Sequence, residues 1–492
     1  MRSLVSQPHA VVVGLFLLVH TQHSLSFNLV KTRLSVGRNT DGVIDHDFAD
    51  DHPNVMSIPA CHGPFSPDLL TNYWGRSPLL IRSAFHAEAL TEVWPSQADL
   101  LELALDDDEI SSDSARIITH TSGRLDSFAS QLGPFSTSTI QGLEHGDKMW
   151  TLIVNDVDRY VSTLADWMDD EFGFLPRWRR DDAQISMART GGGIGPHVDS
   201  YDVFLTQTSG QRTWLVGNTM TVQEEMNTLI PDLSVRILRD VSNHNESSHA
   251  YTRLELQPGD VLYLPPRYVH WGTALTDDCV TLSVGARSPS SAELVARIAE
   301  TMLGSVSVHA VQRYTDPDLL QEVNGAPLHS MTNHAKDSMK TMVLDAVHEI
   351  TDDPMRWDEL VAKLATEPKR MSENALVPYN EIKDSEYLAI WGGTPRDALA
   401  RIREGRGALY RIEGVSFATS RVEYDGVITE RLFAHGSMWE ICDDELATAV
   451  LCRIEKGKPI TISHIEGLSA PLAELLTNLI SEGILYASED LS

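Results

Sequence analysis

The chain has 492 residues, with 70 Asp plus Glu against 39 Lys plus Arg and a formal net charge of −31. That length exceeds one compact domain and predicts two or three, while the acidic balance argues against direct nucleic acid binding and favours basic partners or plain solubility. Four cysteines (Cys61, Cys279, Cys442 and Cys452) form no CxxC pair, which excludes a disulfide framework and a cysteine zinc site and points to a reducing compartment.

Residues 1–40 read as a targeting leader. Arg2 precedes an apolar run from Val11 to Val19, and Ser24-Leu25-Ser26 places small residues before Phe27, the shape of a signal peptide. The run is too short to span a bilayer, which takes about 20 residues. Lys31, Arg33 and Arg38 follow in a stretch without acids. A two-part leader of this kind resembles the plastid-targeting presequences of algae with complex plastids. An organelle (plastid or mitochondrion) is the expected address, with secretion and the cytoplasm as alternatives.

From about residue 55 to 180 the pattern mixes short helices and strands. A helix start is expected at Ser66-Pro67-Asp68-Leu69-Leu70, with further helices over Asp99–Leu105 and Val161–Phe172. From Asp182 to Arg287 the texture becomes β: Asp202-Val-Phe-Leu-Thr-Gln, Thr213-Trp-Leu-Val and Val261-Leu-Tyr-Leu are short runs bounded by Gly and Pro. Their spacing predicts a double-stranded barrel or jelly roll. Helices are expected at Ala292–Met302, Ser338–Ile350 and Met355–Ala365, the last opened by Pro354. The final stretch offers a strand over Ala408–Ile412, a helix over Ala470–Glu482 between Ser469 and Gly483, and a strand at Ile484-Leu485-Tyr486. Helices closing on a short hairpin are compatible with a winged helix.

Two segments carry the chemistry. In Gly191-Gly-Gly-Ile-Gly-Pro-His197-Val-Asp199, residues two apart in extended chain share a face, so His197 and Asp199 project together. The glycines let backbone approach closely and leave room above a metal. In Pro258-Gly-Asp-Val-Leu-Tyr-Leu-Pro-Pro-Arg-Tyr-Val-His270, a turn feeds an apolar strand, two prolines end it and His270 begins the next. Two histidines and one carboxylate form the facial triad of non-haem iron(II) oxygenases, with three positions left open. A closed zinc site would need a fourth protein ligand. A second His-x-Asp, His145-Gly146-Asp147, lacks both the glycine approach and a partner segment and reads as a solvated turn.

These segments resemble the ribosomal oxygenases, a branch of the JmjC/cupin superfamily, and most closely the bacterial-type ribosomal protein arginine hydroxylases. The resemblance rests on Gly191 to Phe204, Gly210-Gln-Arg-Thr-Trp-Leu-Val-Gly217, Pro258 to Pro266, Ser283-Val-Gly-Ala-Arg-Ser-Pro289 and, upstream, Asn72 to Arg82. It implies a mainly β core (a double-stranded β-helix of the cupin/JmjC jelly-roll type) over 55–290, an α-helical dimerisation region over 291–405 and a C-terminal winged helix over 406–492. It also implies Fe(II) on His197, Asp199 and His270, with 2-oxoglutarate as cosubstrate held by Arg212 and Ser186. A planar guanidinium at Arg212 suits the far carboxylate of 2-oxoglutarate, against the plainer reading of a surface ion pair. Ser186 alternates on a strand just before the glycine run, so its hydroxyl has access to a pocket.

The implied activity is hydroxylation of an arginine in a basic large-subunit ribosomal protein by a homodimer without a membrane span. The rivals are a JmjC-type lysine demethylase and a non-catalytic cupin scaffold. Asp202 is a candidate carboxylate for receiving a basic loop. A polar insert, Arg236–Arg253, and extra residues near Val415–Glu430 depart from the family pattern and are expected to bear on which polypeptide docks.

Overall fold

The computed structural model describes residues 55–59, 65, 71–86, 91–105, 114–122, 124–220, 251–304, 312–315, 331–368, 376–441 and 445–489. The leader, the helix start at 66–70 and residues 236–250 of the polar insert lie outside the described residues. In chain order the strands of the first part are β1 (Met56–Pro59), β2 (Leu79–Arg82), β3 (Ala115–His120), β4 (Ala129–Leu132), β5 (Met149–Val154), β6 (Arg180–Ala188), β7 (Asp202–Ser209), β8 (Arg212–Met220), β9 (Tyr251–Leu256), β10 (Val261–Leu264), β11 (Tyr268–Ala274) and β12 (Cys279–Ala286). Helices α1 (Gln97–Leu105), α2 (Thr137–Glu144) and α3 (Ser162–Glu171) fall among them.

Two sheets face each other. One has nine strands in the order β1-β2-β10-β7-β12-β6-β5-β3-β4, the other three in the order β11-β8-β9. Apart from the parallel β1–β2 pair, neighbouring strands of both sheets run antiparallel, as a jelly-roll core requires.

The period of two decides which side chain goes where. From β2, β7 and β10, Leu79, Ile81, Phe204, Val261 and Tyr263 point outward into a core shared with Leu100 of α1 and Leu164, Trp167 and Met168 of α3. Their neighbours Leu80, Val203, Leu205, Leu262 and Leu264 point the other way, against Trp214, Val216, Leu254 and Leu256 of the small sheet. Being covered on both faces, β10 reads as an unbroken apolar run, whereas β9 alternates, with Thr252, Leu254 and Leu256 buried and Arg253 and Glu255 exposed. Each fully buried Leu or Phe contributes about 1.5–3 kcal/mol.

The helices that follow are α4 (Ser291–Gly304), α5 (Asn333–Thr351) and α6 (Pro354–Thr366). Ile298, Ile350 and Leu360 hold the three together. α5 starts five residues before the expected Ser338, because the Thr332 hydroxyl accepts from the Ala335 N–H and caps a first turn that has little apolar pattern of its own. Asp353 caps α6 in the same way, with Pro354 in the first turn.

A separate apolar core is built from α7 (Ser385–Trp391), α8 (Pro395–Arg403), α9 (Glu445–Glu455) and α10 (Ala470–Ser481) with the strand pair β13 (Ala408–Arg411) and β17 (Leu485–Ser488). The residues near Val415–Glu430 form most of an antiparallel meander, β14 (Phe417–Tyr424), β15 (Val427–Ala434) and β16 (Ser437–Ile441). Its first turn has positive φ at both Asp425 and Gly426, the Asp-Gly pattern that matches strand twist in a two-residue hairpin.

This core is fastened to the jelly-roll half at one buried carboxylate. Asp169 of α3 pairs with Arg180 at the start of β6, with Arg411 of β13, and with Arg177 at 3.4 Å. Arg177 Nε also donates to the Val415 carbonyl at 3.1 Å.

Candidate metal centre

His197 and His270 sit opposite each other at one end of the space between the two sheets. Each backbone N–H donates to the other's carbonyl, at 3.0 and 2.9 Å. His197 is not in a regular strand: it forms an isolated bridge with His270, because the Gly-Ile-Gly-Pro approach offers neither the dihedrals nor the donors of a continuous ladder. The extended geometry that puts residues 197 and 199 on one side persists without a strand around it. His270 is the third residue of β11, not its first.

Gly193 shows why the approach is glycine-rich. A Cβ there would lie 2.2 Å from the Gly272 carbonyl oxygen, so the loop reaches β11 only without a side chain. Gly191 adds a φ of +82°, a conformation open to glycine at little cost.

The ligand atoms of His197, Asp199 and His270 all lie within 4.8 Å of one another. Each imidazole is oriented from behind, His197 Nδ1 donating to the Gly195 carbonyl at 2.9 Å and His270 Nδ1 to the Tyr268 carbonyl at 3.0 Å. This leaves both Nε2 atoms for the ion. His270 Nε2 stands 3.4 Å from Asp199 Oδ2. Among the described residues this is the only group of three such donors within ligating distance, and no cysteine joins it. Two imidazoles and one carboxylate suit ferrous iron with open positions.

Burial, and then the neighbouring His270, push the His197 imidazole down to about 4. Burial opposes the Asp199 charge, but hydrogen bonding to His270 and the two imidazoles outweigh it and hold the carboxyl below its ordinary range. The site therefore stands ready for a cation at neutral pH, with no proton to displace from His197 or Asp199. For the metal-free protein a pH dependence follows. The folded His197 stays neutral down to about pH 4, while an unfolded imidazole protonates near 6.5. Stability from this group is fully present above about pH 6.5 and is lost as pH falls toward 4. Urea unfolding of chelator-treated protein at pH 7, 5.5 and 4 should show that decline, and a flat profile contradicts it.

Beside the triad lies a cavity of about 90 Å³. Alternate residues of three strands line it: Asp182, Gln184 and Ser186 of β6, Val203 and Leu205 of β7, Thr281 and Ser283 of β12. Arg212, the first residue of β8, reaches it from the other sheet and is only 2% exposed. Its Nε donates to Cys279 Sγ at 3.3 Å and its guanidinium lies 5.7 Å from the Trp214 ring centre. Arg212 Nη2 is buried without a hydrogen-bond partner among the described residues. A buried guanidinium with a spare donor beside a metal triad fits an anionic cosubstrate whose far carboxylate takes that donor. The plainer surface ion pair does not hold for Arg212.

Ser186 also faces the cavity, though its hydroxyl is turned to the Thr281 carbonyl at 3.4 Å. Thr281, its partner across β6–β12, is a lining residue absent from the sequence reading. The signal was present: Thr281, Ser283 and Gly285 alternate with Leu282 and Val284.

Asp202 is placed elsewhere. It is 5% exposed and accepts the Tyr263 hydroxyl at 2.5 Å, with Arg179 4.0 Å away. Asp202 thus anchors β7 to β10 and does not face the cavity, because it stands one residue out of phase with Val203 on a strand whose alternate side chains face opposite ways. Besides Asp199 of the triad, the carboxylates that line the cavity are Asp181 and Asp182. His145 and Asp147 end α2 and lie outside the metal group, as a solvated turn should.

The model of the JmjC domain matches residues 168–294. Over 332 residues the chain is 28% identical to the ribosomal protein uL16 3-hydroxylase of Escherichia coli K12, covering 66% of this chain and 80% of that protein. Its fold matches the X-ray structure of E. coli YcfD with a TM-score of 0.62 and 23% identity, over 86% of this chain and 98% of that one. It also matches the ribosomal oxygenase YcfD of E. coli in complex with cobalt and 2-oxoglutarate, with a TM-score of 0.59 and 23% identity over 85% and 97% of the two chains. No described helix is long and apolar enough to cross a membrane. This chain carries a JmjC domain and is a relative of the ribosomal oxygenases.

Proposed function

We propose that the protein is an Fe(II)- and 2-oxoglutarate-dependent hydroxylase acting on a basic ribosomal protein, with an arginine of a large-subunit protein as the target. The observation that carries this reading is the conjunction of the His197–Asp199–His270 triad with the unpaired Arg212 Nη2 beside it. Kinship with a protein named uL16 3-hydroxylase supports the substrate class. Iron with 2-oxoglutarate supplies, when bound, the oxygen activation that hydroxylation of a carbon–hydrogen bond requires.

What the chain does is hold and aim. The Gly195 and Tyr268 carbonyls fix the two rings, so the donor atoms need no reorganisation when the ion arrives. Arg212 and Ser186 are assigned to the far carboxylate of 2-oxoglutarate, with Thr281 completing the polar wall. Leu205, Val203 and Trp214 keep that end of the cavity apolar, which excludes water and strengthens the charge contact. Asp181 and Asp182 are assigned to the mouth, where carboxylates favour a basic side chain.

The test is mass spectrometry of a basic ribosomal-protein peptide after incubation with the protein, iron(II), 2-oxoglutarate and air. One added oxygen on arginine is expected. Formaldehyde release in its place indicates demethylation, and no consumption of 2-oxoglutarate by folded, iron-loaded protein leaves the scaffold reading. Replacing Arg212 with lysine keeps the charge but loses the planar fork. The KM for 2-oxoglutarate should rise at least tenfold, and an unchanged KM removes Arg212 from the anchor.

The helices over 291–405 are assigned to dimerisation and residues 406–492 to a winged helix. Exposed Val295, Leu303, Val343 and Leu344 on α4 and α5 support the first, and light scattering of the purified protein checks it. The organellar address of the leader is likewise a proposal, to be checked by locating a fluorescent fusion.

A further inference from the structure

The metal cavity is not the largest among the described residues. A cavity of about 410 Å³ lies at the surface of the C-terminal core, with Arg159 and Tyr160 of the oxygenase half at one side, a volume in the range of about 300–1,000 Å³ typical of ligand sites. Leu376, Ile412, Leu485, Tyr379 and Tyr387 supply much of its wall. The tyrosine hydroxyls are already used within the fold: Tyr379 donates to the Gly392 carbonyl at 2.9 Å, and Tyr387 accepts from the Ala487 N–H at 3.1 Å. These residues therefore offer the cavity aromatic surface more than hydrogen bonds.

The charges in the wall are unevenly matched. Arg159 is held 3.6 Å from Asp156. Glu413 has no such ion pair: burial raises its carboxyl above the ordinary range, opposed first by a hydrogen bond from its own backbone N–H. The two guanidiniums that oppose that rise are committed elsewhere, Arg411 to Asp169 and the Ile454 carbonyl, Arg177 to Asp169 and the Val415 carbonyl. Asp384 adds a second carboxylate, with one oxygen spent on capping α7. An aromatic and aliphatic wall with a half-buried carboxylate that has no ion-pair partner is complementary to a cation on an apolar stem.

The cavity is also near the metal centre. A narrow crevice shares Arg159 and Gly414 with it and Asp181 and Asp182 with the metal cavity. Asp181 and Asp182 on one side and Arg159 and Gly414 on the other thus place the two cavities on neighbouring stretches of the molecule.

We propose that this cavity is a second docking site for the polypeptide on which the metal centre acts, and that it takes a lysine or arginine side chain with its stem on Tyr379, Tyr387 and Leu485 and its charge on Glu413. The proposal rests on the hydroxylase reading above for the identity of the polypeptide. The site selects for a basic residue some distance from the oxidised one, so substrates are recognised at two points along the chain. Two weak contacts on one polypeptide reinforce each other through effective concentration.

The experiment is calorimetry on the full chain, wild type and Glu413→Gln, with n-butylguanidinium, n-butylammonium, uncharged 1-pentanol and the basic ribosomal peptide of the assay above. Glu413→Gln should weaken at least one cation and the peptide by about tenfold while 1-pentanol is unaffected. Val377→Trp, a change at a half-exposed wall residue, should weaken all of them by filling the cavity. Equal cation affinity in wild type and Glu413→Gln overturns the proposal. So does loss of cation binding with unchanged peptide affinity, which assigns the cavity to a free amine or guanidine. If wild type binds the peptide in this way but never oxidises it, the hydroxylase reading fails while the docking site stands.

Discussion

Replacing His270 with alanine is expected to lower turnover of 2-oxoglutarate by at least about a thousandfold and to strip iron from the purified protein. The ring supplies one of three ligand atoms and is 2% exposed, held by the Tyr268 carbonyl. A facial triad reduced to one imidazole and one carboxylate keeps neither the affinity nor the geometry, and a single supporting partner of a metal ligand is already worth 10–100-fold. The fold should survive, because the backbone pairing of residues 197 and 270 does not involve the ring. Metal content, succinate formation and circular dichroism measured together separate these effects. Turnover within tenfold of wild type, with iron still bound, would show that the reactive centre is elsewhere.

The second large effect is expected at Asp169, far from the chemistry. This carboxylate, 5% exposed, is shared by Arg177, Arg180 and Arg411. Asp169→Ala leaves three guanidiniums of one sign buried together, a loss of about 3–5 kcal/mol for breaking a buried ion pair. Burial already presses against the charge on each of the three. Because Arg411 belongs to the C-terminal core and Arg180 begins β6, the variant should loosen the attachment of that core before it unfolds the jelly roll. Thermal unfolding with limited proteolysis reads this out. The adjacent Asp170, an exposed partner of Lys458 at 2.8 Å, is the control: its alanine variant should cost under about 1 kcal/mol. Equal loss from the two variants would mean that the Asp169 cluster contributes no more than a surface pair.

The coupling of that cluster to the site is short. Arg180 is followed at once by Asp181 and Asp182, which line the metal cavity, and by Gln184 and Ser186 on the same face of β6.

Local chemistry made much of this legible from residues alone. The triad was readable because its members lie in two short segments whose glycines, prolines and apolar runs constrain the backbone strongly, and positions two apart share a side in extended chain with or without a ladder. The jelly roll was readable because strands covered on both faces leave unbroken apolar runs such as Val261–Leu264. Helix bounds were less so: the start of α5 depended on a Thr332 cap rather than on an apolar stripe.

Tertiary structure decided what sequence spacing does not encode. Asp202 and Asp182 are both acids on core strands, yet the pleat and the neighbouring sheet direct one to Tyr263 and the other to the cavity. Thr281 became a lining residue only through its register opposite Ser186. The Asp169 cluster joins residues more than 200 positions apart, and the cavity around Glu413 takes its wall from segments as distant as Arg159 and Tyr486. Ligands carried by one short stretch of backbone are written in the local sequence. Buried charge networks and such cavities arise when distant segments pack, and their energetics depend on which partners that packing supplies.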